Sequence, residues 1–113
     1  MESDDRGNRA EEAVKRALGI MQKEGDILGF YQNKKNRELD ELGIDFLVYL
    51  KGGFILPIQV KASSKDNENR RVKHLKKHPK ILFMVFVDID FYKKCPEKSL
   101  DSIVKEIREF LKG

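Results

Sequence analysis

The stretch "GIDFLVYLKGGFILPIQVKAS" (residues 43–63) contains two apolar runs joined by a glycine pair, which predicts a β-hairpin. In both runs an apolar residue recurs at every second position, so each strand has one consistently apolar face. Opposed residues point to the same side of a sheet, and the two apolar sets stay together only if odd positions pair with odd. A three-residue loop, Lys51-Gly52-Gly53, gives this register and pairs Leu50 with Phe54.

The same register predicts a polar group of residues at one end of the hairpin. It sets Asp45 opposite Gln59 and places Lys61 on the same face. Opposed residues in antiparallel strands lie about 4.5–5.5 Å apart, so Asp45 and Gln59 could share one ion. Pro57 cannot donate to a ladder and normally marks an edge strand or a bulge, and a bulge there would shift this geometry. The alternative interpretation is two amphipathic strands that end in solvent-facing polar residues.

A first helix is predicted from about Arg9 to Glu24, because apolar residues recur there at helical spacing and Gly25 follows. At about 100° per residue, Glu12 points away from the apolar stripe, whereas Glu11 lies at its margin. Glu11 is therefore expected to face whatever the helix packs on, with an ordinary helix-flank acid as the alternative. The stripe consists of Ala10, Ala13, Val14, Ala17, Leu18 and Met21.

Between this helix and the hairpin, residues 27–33 predict a strand and residues 34–42 a loop or short turn. After the hairpin, residues 66–80 predict a short helix that ends at Pro79. The element order up to this point is therefore helix, three strands, helix.

The last third of the chain predicts one strand and one helix. Residues 81–89 form a continuous apolar run, which is typical of a strand buried on both faces after a helical crossover. A final helix is expected from Ser99 to Lys112, with Ser99 as its N-cap. Asp88 and Asp90 follow the buried strand, where solvation of a strand end is the default and an ion site a remote alternative.

Length and composition limit the class of protein. The chain has 113 residues, 40% hydrophobic and 37% charged, which predicts one soluble globular domain spanning residues 1–113. No stretch is long and apolar enough for a membrane span, and the polar first residues do not resemble a signal peptide. Because the lone Cys95 cannot form an internal disulfide, a cytoplasmic location is expected.

Positive charge is concentrated in one part of the sequence. The formal net charge is +4, yet residues 61–80 alone contain eight Lys or Arg against Asp66 and Glu68. Such a patch is typical of a phosphate-binding surface, although a solvated helix face is an equal explanation. His74 and His78 stand four apart within it and could hold zinc, but no cysteine cluster completes a site.

With the element order, "GID" followed by "IQVKAS" resembles the PD-(D/E)XK nuclease superfamily, and "RGNRAEEAVKRAL" resembles the start of archaeal Holliday junction resolvases. In those resolvases a glycine and then a glutamate begin the first helix, here Gly7 and Glu11. The resemblance implies an α/β restriction-endonuclease-like core of order α-β-β-β-α-β-α, with a mixed central sheet flanked by helices. Gln59 replaces the usual second acid, as in some branches that resemble Mrr-type restriction enzymes.

The resemblance also implies roles for individual residues. Asp45, Gln59, the Val60 carbonyl and Glu11 would hold Mg²⁺ or Mn²⁺, and Lys61 would orient the attacking water or stabilise the transition state. The catalytic set is thus Glu11, Asp45, Gln59 and Lys61. The residues expected to contact nucleic acid are Ser63, Lys65, Arg70, Arg71, Lys73, Lys76 and Lys77.

Three functions follow from these observations. The first is a metal-dependent DNA endonuclease that acts on branched or structured DNA, as a homodimer because paired sites suit the cutting of two strands. The second is a nuclease-like fold that binds nucleic acid without cutting it, with Gln59 marking the lost catalysis. The third is a small α/β interaction module whose basic helix contacts an acidic protein.

Overall fold

Four strands of the chain form one mixed sheet, and helices pack against it. The computed structural model describes residues 2–34, 36–63, 69–70, 72–73, 76 and 83–112, with side chains from residue 6 onward. The elements in these ranges are α1 (Glu2–Lys23), β1 (Gly29–Gln32), α2 (Arg37–Glu41), β2 (Phe46–Tyr49), β3 (Ile55–Ala62), β4 (Phe83–Val87), α3 (Ile89–Lys94) and α4 (Pro96–Lys112).

The strand order in the sheet is β1-β2-β3-β4. The first two pairings are antiparallel, and β3 pairs with β4 in parallel. A parallel pair needs a crossover connection, and the described residues between 69 and 76 are helical. The predicted α/β class with a mixed sheet is therefore confirmed.

The hairpin has the predicted register. Phe46 pairs with Ile58 and Val48 with Leu56, so positions of equal parity face each other. The Leu50 amide donates to the Phe54 carbonyl at 2.8 Å, which closes the expected three-residue loop. Both glycines in that loop have positive φ values, 87° at Gly52 and 85° at Gly53. Residues that carry a side chain rarely adopt this backbone conformation, so the turn requires the two glycines.

Pro57 does not produce a bulge despite its missing amide. It pairs with Leu47 inside an unbroken ladder. Along an antiparallel ladder, hydrogen-bonded and non-hydrogen-bonded pairs alternate. Because Leu50 and Phe54 form a hydrogen-bonded pair, Leu47 and Pro57 form a non-hydrogen-bonded pair, and the Pro57 nitrogen points away from β2. On its other side, the pairing of β3 with β4 begins only at Ile58. Pro57 therefore does not shift the geometry, because no ladder hydrogen bond is needed from its nitrogen.

The hydrophobic core lies on the sheet face that α1 covers. The predicted α1 stripe is buried, with residues such as Val14 and Leu18 fully inaccessible to solvent. Helix α1 packs on β3 and also on α4. It begins at Glu2, seven residues earlier than predicted. The strand residues in this core are Phe46, Val48, Ile58, Val60, Phe83, Val85 and Val87.

Two short helices, α2 and α3, were not predicted from the sequence. Helix α2 occupies part of the predicted turn, and the Asn36 side chain caps it by accepting from the Leu39 amide at 3.1 Å. Helix α3 follows β4 directly, and Asp88 caps it by accepting from the Phe91 amide at 3.0 Å. Asp88 is therefore a helix cap.

The last helix begins at Pro96, three residues before the predicted start. The Ser99 amide donates to the Cys95 carbonyl at 3.0 Å, so Ser99 already belongs to the helix. Ser99 lies three residues after Pro96, the first residue of the helix, and so cannot be its N-cap as predicted. Proline is well suited to the first turn because amides there have no intrahelical acceptor. No helix in the described ranges has the length and apolar character that a membrane span requires.

Candidate functional site

Glu11, Asp45, Gln59 and Lys61 converge on one cleft of about 480 Å³. It lies where the N-terminal half of α1 meets the start of β2 and the end of β3. The cleft therefore brings together the four side chains that the sequence grouped as one site. Its other lining residues are Arg6, Gly7, Val60, Ala62, Ser63 and Arg70.

Asp45 is positioned by the end of the hairpin ladder. Its amide donates to the Ile58 carbonyl at 2.9 Å, and its Oδ2 accepts from the Val60 amide at 2.7 Å. The side chain thus replaces the main-chain acceptor that a continued ladder would supply. Within the described residues, its other oxygen, Oδ1, has no hydrogen-bond donor. The ladder between β2 and β3 ends at Phe46 and Ile58, so it does not include the predicted pairing of Asp45 with Gln59. Both residues line the cleft, and the direct contact of the Asp45 side chain is with the Val60 amide.

Burial raises the pKa of Asp45 above its ordinary value, and the nearby Asp40 adds to the effect. The Val60 amide and the charge of Lys61 act in the opposite direction, because each stabilises the carboxylate. The net effect is that Asp45 carries a negative charge in surroundings that solvate it poorly. A bound cation would relieve this cost.

Asn33 holds the backbone around Asp45, a role that the sequence did not predict. It is buried, and its amide donates to the Asp45 carbonyl at 2.8 Å. Its side-chain nitrogen donates to Asp40 Oδ1 at 2.7 Å and to the Ile44 carbonyl at 3.1 Å, while its oxygen accepts from the Asn36 amide at 2.9 Å. The only sequence signal was an asparagine at the end of a predicted strand, which indicates a turn without showing these partners.

Gln59 has a buried polar atom that lacks a partner. The residue is 9% exposed, and its Oε1 finds no hydrogen-bond donor among the described residues. Its backbone is fixed in the centre of the sheet, where Gln59 pairs with Met84 of β4. Leaving such an atom unsatisfied costs about 1–3 kcal/mol, and most buried polar atoms avoid it. An oxygen with free lone pairs beside two carboxylates suits a hard cation such as Mg²⁺.

Glu11 is the second carboxylate of the cleft. It reaches this position because the apolar stripe of α1 packs on β3, which turns the margin of the stripe towards the strand end. Burial raises the pKa of Glu11, and the negative charge of Asp45 raises it further, whereas a side-chain hydrogen bond with Gln32 opposes both. Two partly buried carboxylates in one cleft, each with a raised pKa, form a site that favours positive charge.

Positive side chains border the same cleft. Lys61 is close enough to Asp45 to lower the pKa of that carboxyl. Arg70 Nη1 donates to the Ala62 carbonyl at 2.6 Å, and its guanidinium lies 5.4 Å from the centre of the Phe86 ring. These contacts hold a fixed cation at the cleft wall.

The other predicted nucleic-acid contacts are only partly described. Ser63 lines the cleft at the end of β3, and Lys73 and Lys76 are exposed. Lys65, Arg71 and Lys77 lie outside the described residues, as do His74 and His78. The described part of the basic patch therefore includes Arg70 at the cleft and two exposed lysines.

Among the described residues, the donor set that the cleft offers a metal contains two carboxylates, Glu11 and Asp45. In the ranges that the structure describes, no three His, Cys, Asp or Glu side chains cluster closely enough to hold an ion. The third ligand would have to be the Gln59 amide, helped by the main chain. In an extended strand the N–H and C=O of one residue point to the same edge, so the Val60 carbonyl lies on the Asp45 side.

Comparison of the chain with protein-family models gave no match, and neither did comparison with curated proteins or with solved structures.

Proposed function

We propose that this chain is a metal-dependent DNA endonuclease of the PD-(D/E)XK type, with a restriction-endonuclease-like core. The observation that carries the proposal is the convergence of Glu11, Asp45, Gln59 and Lys61 in one cleft, with Gln59 Oε1 buried and unpartnered among the described residues. Folding gains nothing from an orphaned oxygen beside two carboxylates with raised pKa values, whereas cation binding does.

The cleft residues are of two chemical kinds, oxygen donors that suit a metal ion and cationic side chains that suit a phosphate. Asp45 Oδ1, Gln59 Oε1, Glu11 and the Val60 carbonyl would hold Mg²⁺ or Mn²⁺. When bound, this ion lowers the pKa of a coordinated water and offsets charge on the phosphate. The fit is with a hard cation, because every donor is oxygen.

The protein's own cations would act on the substrate. Lys61 lies beside Asp45, where its ammonium would orient the attacking water and stabilise charge that develops on the phosphoryl oxygens. Arg70 is fixed by the Ala62 carbonyl and the Phe86 ring, so it would hold the phosphate without first losing side-chain freedom. Ser63 at the strand end would contact the neighbouring phosphate.

We also propose that the enzyme is a homodimer, since two clefts are needed to cut both strands of a branched or structured DNA symmetrically. One feature that supports this is the outward face of the antiparallel strands, which exposes Tyr31, Tyr49 and Ile55. These positions are uncharged in a chain with 37% charged residues, so two copies could approach there without charge repulsion.

Gln59 also favours a second candidate, a nuclease-like fold that binds nucleic acid without cutting it. An amide supplies less attraction to a divalent cation than the carboxylate usual at this position. The variant Gln59→Glu separates the two cases. If Gln59 is a metal ligand, calorimetric titration should show tighter Mn²⁺ binding in Gln59→Glu, and cleavage should rise or begin; unchanged affinity would exclude Gln59 as a ligand.

The decisive experiment is a cleavage assay on plasmid, single-stranded DNA and a four-way junction, in Mg²⁺ and in Mn²⁺. We expect cutting by the wild-type protein, and loss of cutting in Asp45→Asn and Lys61→Gln. Lys105→Gln is the matched control, because Lys105 lies on α4 at a separate cleft. Absence of cutting on every substrate, or cutting that survives in the first two variants, would overturn the endonuclease proposal. Salt-sensitive binding without cutting would select the second candidate.

A further inference from the structure

A second cleft, of about 240 Å³, lies on the far side of α1 from the first. Helix α3 closes it, and its lining carries three cations and one carboxylate. Arg9 and Lys93 are exposed at its rim. The lining residues are Arg9, Glu12, Arg16, Tyr92, Lys93 and Pro96.

A directed chain of hydrogen bonds crosses this cleft. Arg16 Nη1 donates to the Tyr92 hydroxyl at 2.9 Å, and that hydroxyl donates to Glu12 Oε1 at 2.7 Å. Tyr92 is 4% exposed, so its ring is fixed in the core while its hydroxyl reaches the cleft. Arg16 is therefore held by the Tyr92 hydroxyl. The Glu12 carboxylate is close enough to help raise the pKa of Arg16 but forms no direct ion pair with it.

Arg108 provides the contrast. It also lies at a cleft bordered by α1 and α4, but it donates to Asp26 Oδ2 at 2.6 and 3.0 Å and also pairs with Glu24. This arginine is neutralised by two carboxylates and ties α4 to the turn that follows α1. By comparison, the described residues place no carboxylate in an ion pair with Arg9, Arg16 or Lys93.

The two clefts lie on opposite sides of one helix. At about 100° per residue, Gly7 and Glu11 point roughly 150° away from the direction shared by Arg9, Glu12 and Arg16. A helix with its side chains is about 10–12 Å wide, and a nucleic-acid strand rises about 3.4 Å per nucleotide. A strand that passes over the N-terminal half of α1 would therefore span the clefts with about three nucleotides.

We propose that this second cleft is a phosphate-binding subsite that holds the nucleic-acid backbone about three nucleotides from the phosphate in the first cleft. The inference rests on the proposed function, because it takes nucleic acid as the ligand of the first cleft. Arg9, Arg16 and Lys93 supply the charge, and Tyr92 fixes the guanidinium of Arg16 before the ligand arrives. The subsite adds affinity and register without taking part in the chemistry.

The competing role for the cleft is a purely structural clasp between α1 and α3. The salt dependence of DNA binding distinguishes a phosphate-binding subsite from a structural contact. On duplex DNA, each lost phosphate contact reduces the magnitude of the negative slope of log Kobs against log salt concentration by about 0.9. The variants are Arg9→Gln with Lys93→Gln, since both side chains are exposed and neither takes part in the Arg16–Tyr92–Glu12 chain. Lys105→Gln with Lys112→Gln is the control, with the same change in charge at the cleft of Arg108.

Binding of a labelled duplex and a labelled four-way junction is measured by anisotropy in EDTA, over a series of salt concentrations. We expect the slope to fall by about two in the Arg9/Lys93 variant, and by much less in the control. Thermal unfolding should be unchanged in both. Tyr92→Phe should weaken binding several-fold in low salt, because it releases Arg16.

The outcomes also distinguish this inference from the endonuclease proposal. A wild-type protein that binds and cuts DNA, with equal slopes for the Arg9/Lys93 variant and the wild type, overturns the subsite and leaves the endonuclease intact. A slope that falls equally in the control and the variant shows only a general charge effect, and it also overturns the subsite. If the wild-type protein binds no DNA even at low salt, both proposals are wrong.

Discussion

The two faces of the central strand β3 differ in how completely their side chains are satisfied. On one face Ile58 and Val60 are buried opposite Phe83 and Val85, in an entirely apolar core. On the other face Gln59 is almost as buried, yet its Oε1 has no partner among the described residues. Burial of the side chains on the first face therefore stabilises the fold, whereas burial of the unpaired Gln59 oxygen on the second face destabilises it. Buried polar groups that cost stability are concentrated at functional sites.

The largest expected effect is a loss of stability when a side chain on the apolar face of β3 is truncated, and it tests the difference between the two faces. Ile58→Ala should lower the free energy of unfolding by about 2–5 kcal/mol, because it opens a cavity in a core that has no solvent access. Gln59→Ala, one residue away, removes a similar volume but also an unsatisfied oxygen, so it should cost clearly less. Urea denaturation followed by circular dichroism measures both. Equal losses would show that the two faces serve stability alike.

The hairpin and the first helix could be predicted because each depends on local, repeating signals. The period-two pattern and the glycine pair determined the register, and the phase of the α1 stripe directed Glu11 to the cleft. The effect of Pro57 on the ladder could not be predicted, because hydrogen bonding at that residue depends on where the next strand begins to pair, which local sequence does not show.

The parts of the site that were missed depend on contacts between distant segments. Asn33 was predicted only as the last residue of a strand, yet it holds Ile44 and Asp45 through its own amide and side chain. The Val60 amide became the partner of Asp45 because the ladder ends one residue early, a detail of the register at the strand end. Arg16 and Tyr92 lie 76 residues apart, and no sequence spacing connects them.

An effect of intermediate size is expected at Asp45, where two substitutions separate the hydrogen bond of the carboxylate from its charge. Asp45→Ala should cost about 1–3 kcal/mol, because the buried Val60 amide loses its acceptor. Asp45→Asn keeps an oxygen acceptor and removes the buried charge, so in metal-free buffer near pH 7 it should be at least as stable as the wild type. Thermal unfolding in EDTA separates the two variants. If Asn cost as much as Ala, the stabilising feature would be the charge itself.

The difference in stability between the wild-type protein and Asp45→Asn should depend on pH, and the raised pKa of Asp45 determines the direction. The pKa of Asp45 in the folded state lies above its ordinary value of 3.8, so the folded protein holds this proton to higher pH than the unfolded chain does. Wild-type stability should therefore fall relative to Asp45→Asn as the pH rises from 3.8 through the folded pKa, and the difference should then stay constant. Below pH 3.8 the two proteins should be alike. A difference that shrank with rising pH would reverse the assignment.

The smallest expected effect concerns the orphaned oxygen alone. Gln59→Leu replaces the amide with an apolar side chain of similar size, so the unpaired Oε1 disappears while the packing against Met84 is retained. We expect stability in EDTA to rise by about 1 kcal/mol, which for a domain near this size raises Tm by about 4–8 °C. In Mn²⁺ the order should reverse, because the wild-type protein gains stability from the bound ion and the variant lacks a ligand. A variant that was less stable in EDTA would mean that Gln59 is satisfied in the folded protein, and the contrast between the two faces of β3 would then disappear.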